Sequence, residues 1–408
     1  MIKIDDKSKC CGCTACVQKC PKQCISMQLD DEGFYYPVTD NSICIDCGLC
    51  EKVCPVINRS IARTPVKCYA AKGRNAEIVM QSSSAGIFTL LAEKVIKDGG
   101  VVFGARFDSH WDVVHAYTET IEGIAKFRSS KYVQSSIGKT YIEAKEFLDQ
   151  GKTVLYTGTP CQLAGLHQFL RKDYENLIAV DIVCHGAPSP GIWRDYLRCL
   201  MQEGNSHQCS EQKYLQLSDG LSQRIKKISF RDKQKGWKKY SFVLHAPRNN
   251  NGKESTNSKP IVQEKHYENL YLKTYLHGVM SRQSCYSCPA RKGRSGSDIL
   301  LGDFWGVNHK YPEFYSSDGV SMALAYTEKG KKLIEELKLE IINIPYDDTK
   351  GNRNIEFDET MPQERMPFFA NYRDSGINEL VRYCKSKQQH PLKVLYRNII
   401  DNIKLRLK

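Results

Sequence analysis

Residues 10–24 read CCGCTACVQKCPKQC, with six cysteines in fifteen positions, and a second run, CIDCGLCEKVCP, occupies residues 44–55. Cys10, Cys13, Cys16 and Cys20, followed by Pro21, have the spacing C-x2-C-x2-C-x3-C-P, and Cys44, Cys47, Cys50 and Cys54, followed by Pro55, repeat it. The duplication is the pattern of a bacterial ferredoxin with two [4Fe-4S] clusters, in which each run lends its fourth cysteine to the other cluster. Cys10, Cys13, Cys16 and Cys54 therefore form one expected ligand set. Cys44, Cys47, Cys50 and Cys20 form the other. Iron in these clusters takes soft, tetrahedrally disposed thiolates. Zinc also accepts x2-spaced pairs, but it needs neither two full duplicate runs nor the trailing proline. Cys11 and Cys24 stand outside the repeat. Cys11 directly follows a ligand, so its side chain should point elsewhere. Cys24 is either a spare ligand or a small buried hydrophobe.

Between the runs, MQLDDEGFYYPV (27–38) reads as a hairpin with Asp-Glu-Gly at its turn. A dicluster ferredoxin module is expected over 1–58, a linker over 59–67, a body over 68–330 and a helical C-terminal extension over 331–408 that completes or covers the body. In the body, KCYAAKG, VVFGARFD, DVVHAYTE, KTVLYTGTPC, LIAVDIVCHG, DILLGDFWG and SMALAY read as strands. They are interspersed with helical stretches such as GIFTLLAEKVIK, TYIEAKEFLDQ and QLAGLHQFLRK. Such alternation predicts an α/β body with a largely parallel or mixed sheet, preceded by the small α+β module. Ligands of such sheets bind beyond the C-terminal strand ends. No G-x-G-x-x-G follows a predicted strand, so an ordinary dinucleotide-binding fold is not supported. Residues 224–247 read as a hairpin, 249–258 as a polar loop and VLYRNIIDNIKLRLK as a basic closing helix.

The chain has 408 residues, 41% of them apolar and 26% charged, which is ordinary for a folded protein with two or three domains. No run approaches a spanning helix, and the N-terminus lacks the apolar stretch of a signal peptide. The cytoplasm is thus expected. Eighteen cysteines in a reducing compartment point to metal or redox chemistry rather than disulfides. The formal charge of +13 invites a nucleic-acid reading. A [4Fe-4S] centre on four thiolates carries about −2, so three centres offset roughly half of that excess. The charge that remains would steer acidic partners. The densest basic run, RDKQKGWKK (231–239), reads as a solvated hairpin rim.

Four further cysteines lie in suggestive contexts: Cys161 in TGTPCQ, Cys184 in DIVCHG, and the x2-spaced Cys285 and Cys288 in CYSCPA. They could converge on a third [4Fe-4S] cluster, or be packing thiols plus one zinc-like pair. Cys68, Cys199, Cys209 and Cys384 show no repeated spacing and read as unliganded.

The stretches QSSSAGIFTLLA (81–92), KYVQS (131–135), YTGTPCQLAGL (156–166), DIVCHGAPS (181–189) and CYSCPARKGRSGSDILLGDFWG (285–306) resemble the beta subunits of coenzyme F420 hydrogenases and dehydrogenases. The family also includes 7-hydroxymethyl chlorophyll a reductase. The resemblance implies an FAD-binding iron–sulfur oxidoreductase, with Cys161, Cys184, Cys285 and Cys288 as ligands of a third cluster. Ala85 departs from the second glycine common in the family, and its methyl is expected to crowd a flavin there. For the flavin, Ser82, Ser83, Ser84 and Gly86 precede a helix start that favours phosphate, with ordinary helix capping as the alternative. Gly158 and Thr159 form a similar small-residue turn. Lys131, Tyr132 and Gln134 are expected along the isoalloxazine. His185 is either a proton donor or a brace beside Cys184. Asp303 either binds the ribityl or ring, or caps a turn, while Phe304 and Trp305 pack the site wall.

A flavin beside clusters converts two-electron into one-electron chemistry. The expected partners are an organic substrate or deazaflavin-type donor, and ferredoxin or another acidic electron carrier. A homo-oligomer or larger redox complex is also compatible. Two other classes remain: a non-catalytic electron-transfer subunit, and a structural or nucleic-acid-binding iron–sulfur protein.

Overall fold

The computed structural model describes residues 1–203, 214–246, 260–358 and 360–387. The polar loop 249–258, Cys209 and the basic stretch 394–408 lie outside the described residues. Two strands, β1 (Ile25–Leu29) and β2 (Tyr35–Thr39), form the antiparallel hairpin of the N-terminal module. Asp30 Oδ1 tightens its turn by accepting from the amides of Glu32 and Phe34, at 3.0 and 2.8 Å. Gly33 supplies the positive φ of 77° that a side chain there would resist.

The body is built on β3 (Lys67–Gly73), β4 (Val101–Phe107), β5 (Val113–Thr118), β6 (Val154–Gly158) and β7 (Leu177–Ile182). Three strands, β8 (Lys227–Asp232), β9 (Ser241–His245) and β10 (Val262–Lys265), make a separate antiparallel sheet. The main sheet is completed by β11 (Ile299–Asp303), β12 (Ser321–Ala325) and β13 (Leu339–Asn343), in the order β13-β3-β12-β11-β7-β6-β4-β5. β4, β6, β7 and β11 are mutually parallel, and the remaining pairings are antiparallel. The sheet is therefore mixed rather than largely parallel. The reason lies in the connections. Helices Thr140–Asp149 and Pro160–Leu170 carry the chain back for parallel pairing, a short turn separates β4 from β5, and the longer stretch between β11 and β12 holds only the short helices Val307–Lys310 and Pro312–Phe314. The segment after residue 330 is not helical throughout, because β13 joins the sheet edge beside β3.

Successive strand residues enter different cores, as the two-residue repeat of a sheet requires. Val101, Phe103, Val154, Tyr156, Leu177 and Ala179 pack with Tyr141 and Phe169 on one face. Val102, Leu155, Ile178 and Val180 pack with Ile87, Leu91 and Val95 on the other. The first of these cores also contains Cys11, Cys13, Ala15 and Val53 of the module. Phe34 and Tyr36 of the module enter a third core with Trp193 and Phe230. The module thus shares core with the body rather than hanging from it. The 59–67 segment is strapped down as well. Arg59 donates to the carbonyl of Cys288, and Arg63 donates to those of Gly293 and Ser297.

Candidate redox site

Two pockets open in the module. Cys20, Cys44, Cys47 and Cys50 line one, together with Cys24. Cys10, Cys13, Cys16 and Cys54 line the other, together with Cys11. The crossed grouping expected from the spacing is therefore the grouping in space. The amide of Ile2 donates to Cys50 Sγ at 3.3 Å, a contact suited to a liganding thiolate. Cys24 stands with its sulfur 3.4 Å from Cys20 Sγ, at the rim of its pocket.

The third set converges from three loops. Cys161 lies in the first turn of the Pro160–Leu170 helix, after the β6 end, and Cys184 lies two residues past β7. Cys285 and Cys288 lie at and just after the 3-10 turn Gln283–Ser287. The charges of Cys285, Cys161 and Cys288 all act on Cys184, whose thiol burial pushes well above its usual range. The amide of Ala187 donates to Cys285 Sγ at 3.3 Å. Arg291 donates to the carbonyl of Cys184 at 3.1 Å.

Cys11 joins the two regions. Cys11 and Cys13 are buried in one core, and Cys161 packs against that core. The helix after β6 explains the proximity. Cys161 and Gly165 are four residues apart and so share a helix face. A Cβ on Gly165 would stand 2.8 Å from Cys13 Cβ and 3.0 Å from its Sγ. Gly165→Ala is accordingly expected to cost about 1–3 kcal/mol by overpacking, read as a lower denaturant midpoint for loss of the module's visible absorbance.

With one exception, the residues read as flavin contacts lie at the ends of β6 and β11 or on loops tied to the β11 end through Arg231 and Lys233. Ser83 Oγ meets Ser130 Oγ at 2.9 Å, which joins the 82–86 loop to the 128–132 loop. Ser82 Oγ donates to the carbonyl of Ile78, and Gly86, at φ 82°, is the N-cap of the Ile87–Lys97 helix. Ala85 is fully buried among the core residues behind that loop, so its methyl is absorbed by packing. Lys131 Nζ donates to the carbonyl of Arg128, and enclosure of its ammonium lowers its pKa to about 7. Tyr132 stacks on Tyr275 at 4.8 Å, and His185 meets the same ring edge-on at 5.3 Å. Thr159 is the N-cap of the helix after Gly158, and its hydroxyl stands 3.3 Å from Cys161 Sγ. The exception is Gln134. Its amide lies at the module seam, donating to the Cys11 carbonyl and accepting from Arg282.

The basic run 231–239 needs a larger correction. It is a solvated rim only in part: Gln234, Lys235, Lys238 and Lys239 are exposed, but Arg231, Lys233 and Trp237 are buried. Arg231 Nη1 donates to Asp303 Oδ2 at 2.6 Å, and Trp237 Nε1 donates to Asp303 Oδ1 at 3.1 Å. Asp303 therefore anchors the hairpin to the end of β11. Lys233 Nζ donates to the carbonyls of Val79, Ser84 and Asp318, which pins the serine loop. Trp305 lies parallel to Trp237 at 4.9 Å, while Phe304 belongs to the core. Among the described residues, Arg231 Nε and Nη2 and Ser84 Oγ are buried without a hydrogen-bond partner. Buried donors are rarely left so, and a flavin's carbonyl and phosphate oxygens would satisfy them. Alternation of charge and aromatic residues in SFRDKQKGWKKYSF was the available signal, and the net charge of the run obscured it.

Residues 151–344 match the C terminus of the coenzyme F420 hydrogenase/dehydrogenase beta subunit, and residues 9–58 match the 4Fe-4S dicluster domain. The chain is 20% identical over 162 residues to a subunit, designated F, of the F(420)H(2) dehydrogenase of Methanosarcina mazei, a match covering 38% of this chain and 46% of that protein. It is 50% identical over 42 residues to the 7Fe ferredoxin of Hydrogenibacillus schlegelii, covering 10% of this chain and 47% of that protein. The chain spans about half the length of the curated relatives it matches. A chain of the F420-reducing [NiFe] hydrogenase complex from Methanosarcina barkeri, solved as a xenon derivative, aligns with a TM-score of 0.42 at 17% identity, covering 80% of this chain and 94% of that one. These matches support an iron–sulfur protein, with a dicluster-like module ahead of a body that is similar in part to those beta subunits. Among the described residues, no helix is long and apolar enough to cross a membrane.

Proposed function

We propose that this chain is a flavin-dependent iron–sulfur oxidoreductase. It would couple two-electron chemistry on an organic substrate or deazaflavin-type donor to one-electron transfer through three [4Fe-4S] clusters toward ferredoxin or another acidic carrier. The observation that carries the reading is Cys11, which is buried with Cys13 in the core that Cys161 packs against. Two cluster sites that meet at one core are suited to electron exchange. The dicluster match supports the outer pair.

Bound FAD would supply the conversion between paired and single electrons. Arg231, Ser84 and the Ser82–Gly86 loop would hold its polar groups, with Asp303 fixing the guanidinium from behind. Lys131 would hold or release a proton at Nζ near neutral pH, because burial has lowered its pKa to about 7. His185 is assigned the bracing role, given its edge contact with Tyr275. The Trp237–Trp305 pair would exclude water from one side.

Anaerobically purified protein is expected to contain stoichiometric FAD and about twelve irons, four per centre. Eight irons without flavin would refute the reading. Arg231→Met is expected to weaken flavin retention by roughly 10–100-fold, the equivalent of about one to two charge-assisted hydrogen bonds, while iron content holds. Unchanged flavin affinity would remove Arg231 from the site.

A second reading, an electron-transfer subunit of a larger complex, is favoured by exposed Ile43 and Ile45 beside exposed Cys47. Failure of the isolated chain to turn over any organic donor or acceptor, with FAD present, would favour it.

A further inference from the structure

Arg282 is 1% exposed and sits where the module meets the body. Its Nε donates to the carbonyl of Cys10 at 2.7 Å, and Nη2 donates to the carbonyl of Tyr35 at 3.0 Å and approaches Cys10 Sγ at 3.5 Å. Nη1 donates to Gln134 Oε1 at 3.2 Å. The guanidinium lies over the Tyr36 ring at 3.9 Å. None of these partners is a carboxylate. A buried cation with only dipoles and a ring around it is costly unless a countercharge is near. The groups of acidic character that act on it are the thiols of Cys10, Cys11 and Cys285, with Tyr36. Cys161 and Cys285 in turn feel Arg282. The inner set also has Arg291, which acts on Cys184 and Cys288.

We propose that Arg282 is a positioning residue whose fixed charge supplies the countercharge for the cluster held by the Cys10 set and raises that cluster's reduction potential. The inference rests on the cluster reading above. Reduction adds one electron to an already anionic centre; no bond forms or breaks, and no proton moves, because a guanidinium stays charged. A cation in direct contact stabilises the reduced form more than the oxidised form. The cluster next to the inner set would then accept electrons more readily than it would without Arg282. The Cys20 set has no contact with Arg282 among those described and serves as an internal control.

The test is an anaerobic redox titration of the full chain, followed by electron paramagnetic resonance, with Arg282→Gln and Arg282→Lys. In Arg282→Gln, one outer centre should fall in potential enough to change its oxidised-to-reduced ratio at least tenfold at fixed poise, or about 59 mV for one electron. The other outer centre should hold, and Arg282→Lys should recover most of the loss. Iron lost from that one centre in Arg282→Gln and regained in Arg282→Lys would also support the role. Fully loaded Arg282→Gln with parental potentials would overturn it. So would equal shifts, or equal iron loss, in both variants. Absence of the centre from the parent protein would instead refute the cluster reading, and this inference with it.

Discussion

Cys288→Ala is expected to remove about four of roughly twelve irons and to sever flavin from the outer clusters, while flavin itself stays bound. Cys288 follows the 3-10 turn Gln283–Ser287 and acts electrostatically on Cys184. An alanine there withdraws a thiolate without overpacking the loop. The proposed flavin contacts Ser84 and Arg231, and Asp303 behind the guanidinium, come from other loops, and none of their hydrogen bonds uses Cys288. Dithionite or an organic donor should still reduce the flavin. Electron passage from flavin to the module should drop to background, because its route runs through the set containing Cys161, the neighbour of Cys11. Rapid-mixing absorbance that follows flavin and cluster bands separately would read both. Parental exchange in a variant shown to lack the inner centre would rule out the order flavin, inner cluster, outer clusters.

Glu32→Ala should be the most destabilising single change at the seam, at about 3–5 kcal/mol. Glu32 lies in the module's hairpin turn, and Arg365 begins the helix Arg365–Ser375. Their side chains are 5% and 0% exposed, and they meet at 2.6 Å through Nη2 and Oε2. A second contact runs from Arg365 Nη1 to Glu32 Oε1 at 3.1 Å, and Arg365 Nε donates to the carbonyl of Ser281. Loss of the carboxylate leaves a buried guanidinium with no countercharge beside it, held only by the Ser281 carbonyl, the Met366 sulfur and the rings of Phe369 and Tyr286. The paired change Glu32→Ala with Arg365→Met should recover much of the loss, since removing both charges also removes the desolvation penalty. Denaturant midpoints for the single and double variants would measure it. A single variant as stable as the parent would show that the pair does not lock the module.

This contact bears on how the chain divides. Composition and spacing suggest a detachable module, a short linker and a separate body. In the structure the module fills core on two sides, Arg59 and Arg63 strap the linker down, and the C-terminal segment grips the module through Arg365. A chain begun near Arg63 would expose Arg282 and Arg365 as well as apolar core. Tests of electron transfer therefore belong on the full chain.

The cysteine repeats were legible from sequence because each outer cluster takes three ligands from one short run of fixed spacing, and that spacing is written along the chain. The alternation of strand and helix was legible for the same reason, since it is local. Sheet direction was less so. Whether β12 runs against β11 depends on where a connection returns, which hydrophobic pattern does not record. The buried charges were hidden altogether. Arg231, Lys233 and Arg282 look like surface residues in one dimension, because charge predicts exposure unless a partner is known. Their partners are Asp303, three backbone carbonyls, and a cysteine of the distant module. Cys11 shows the same division. The sequence by itself determined that it is no member of the repeat. Only the tertiary structure decided that it shares a core with Cys13 and the Cys161 helix, because that depends on how a helix of the body seats against the module.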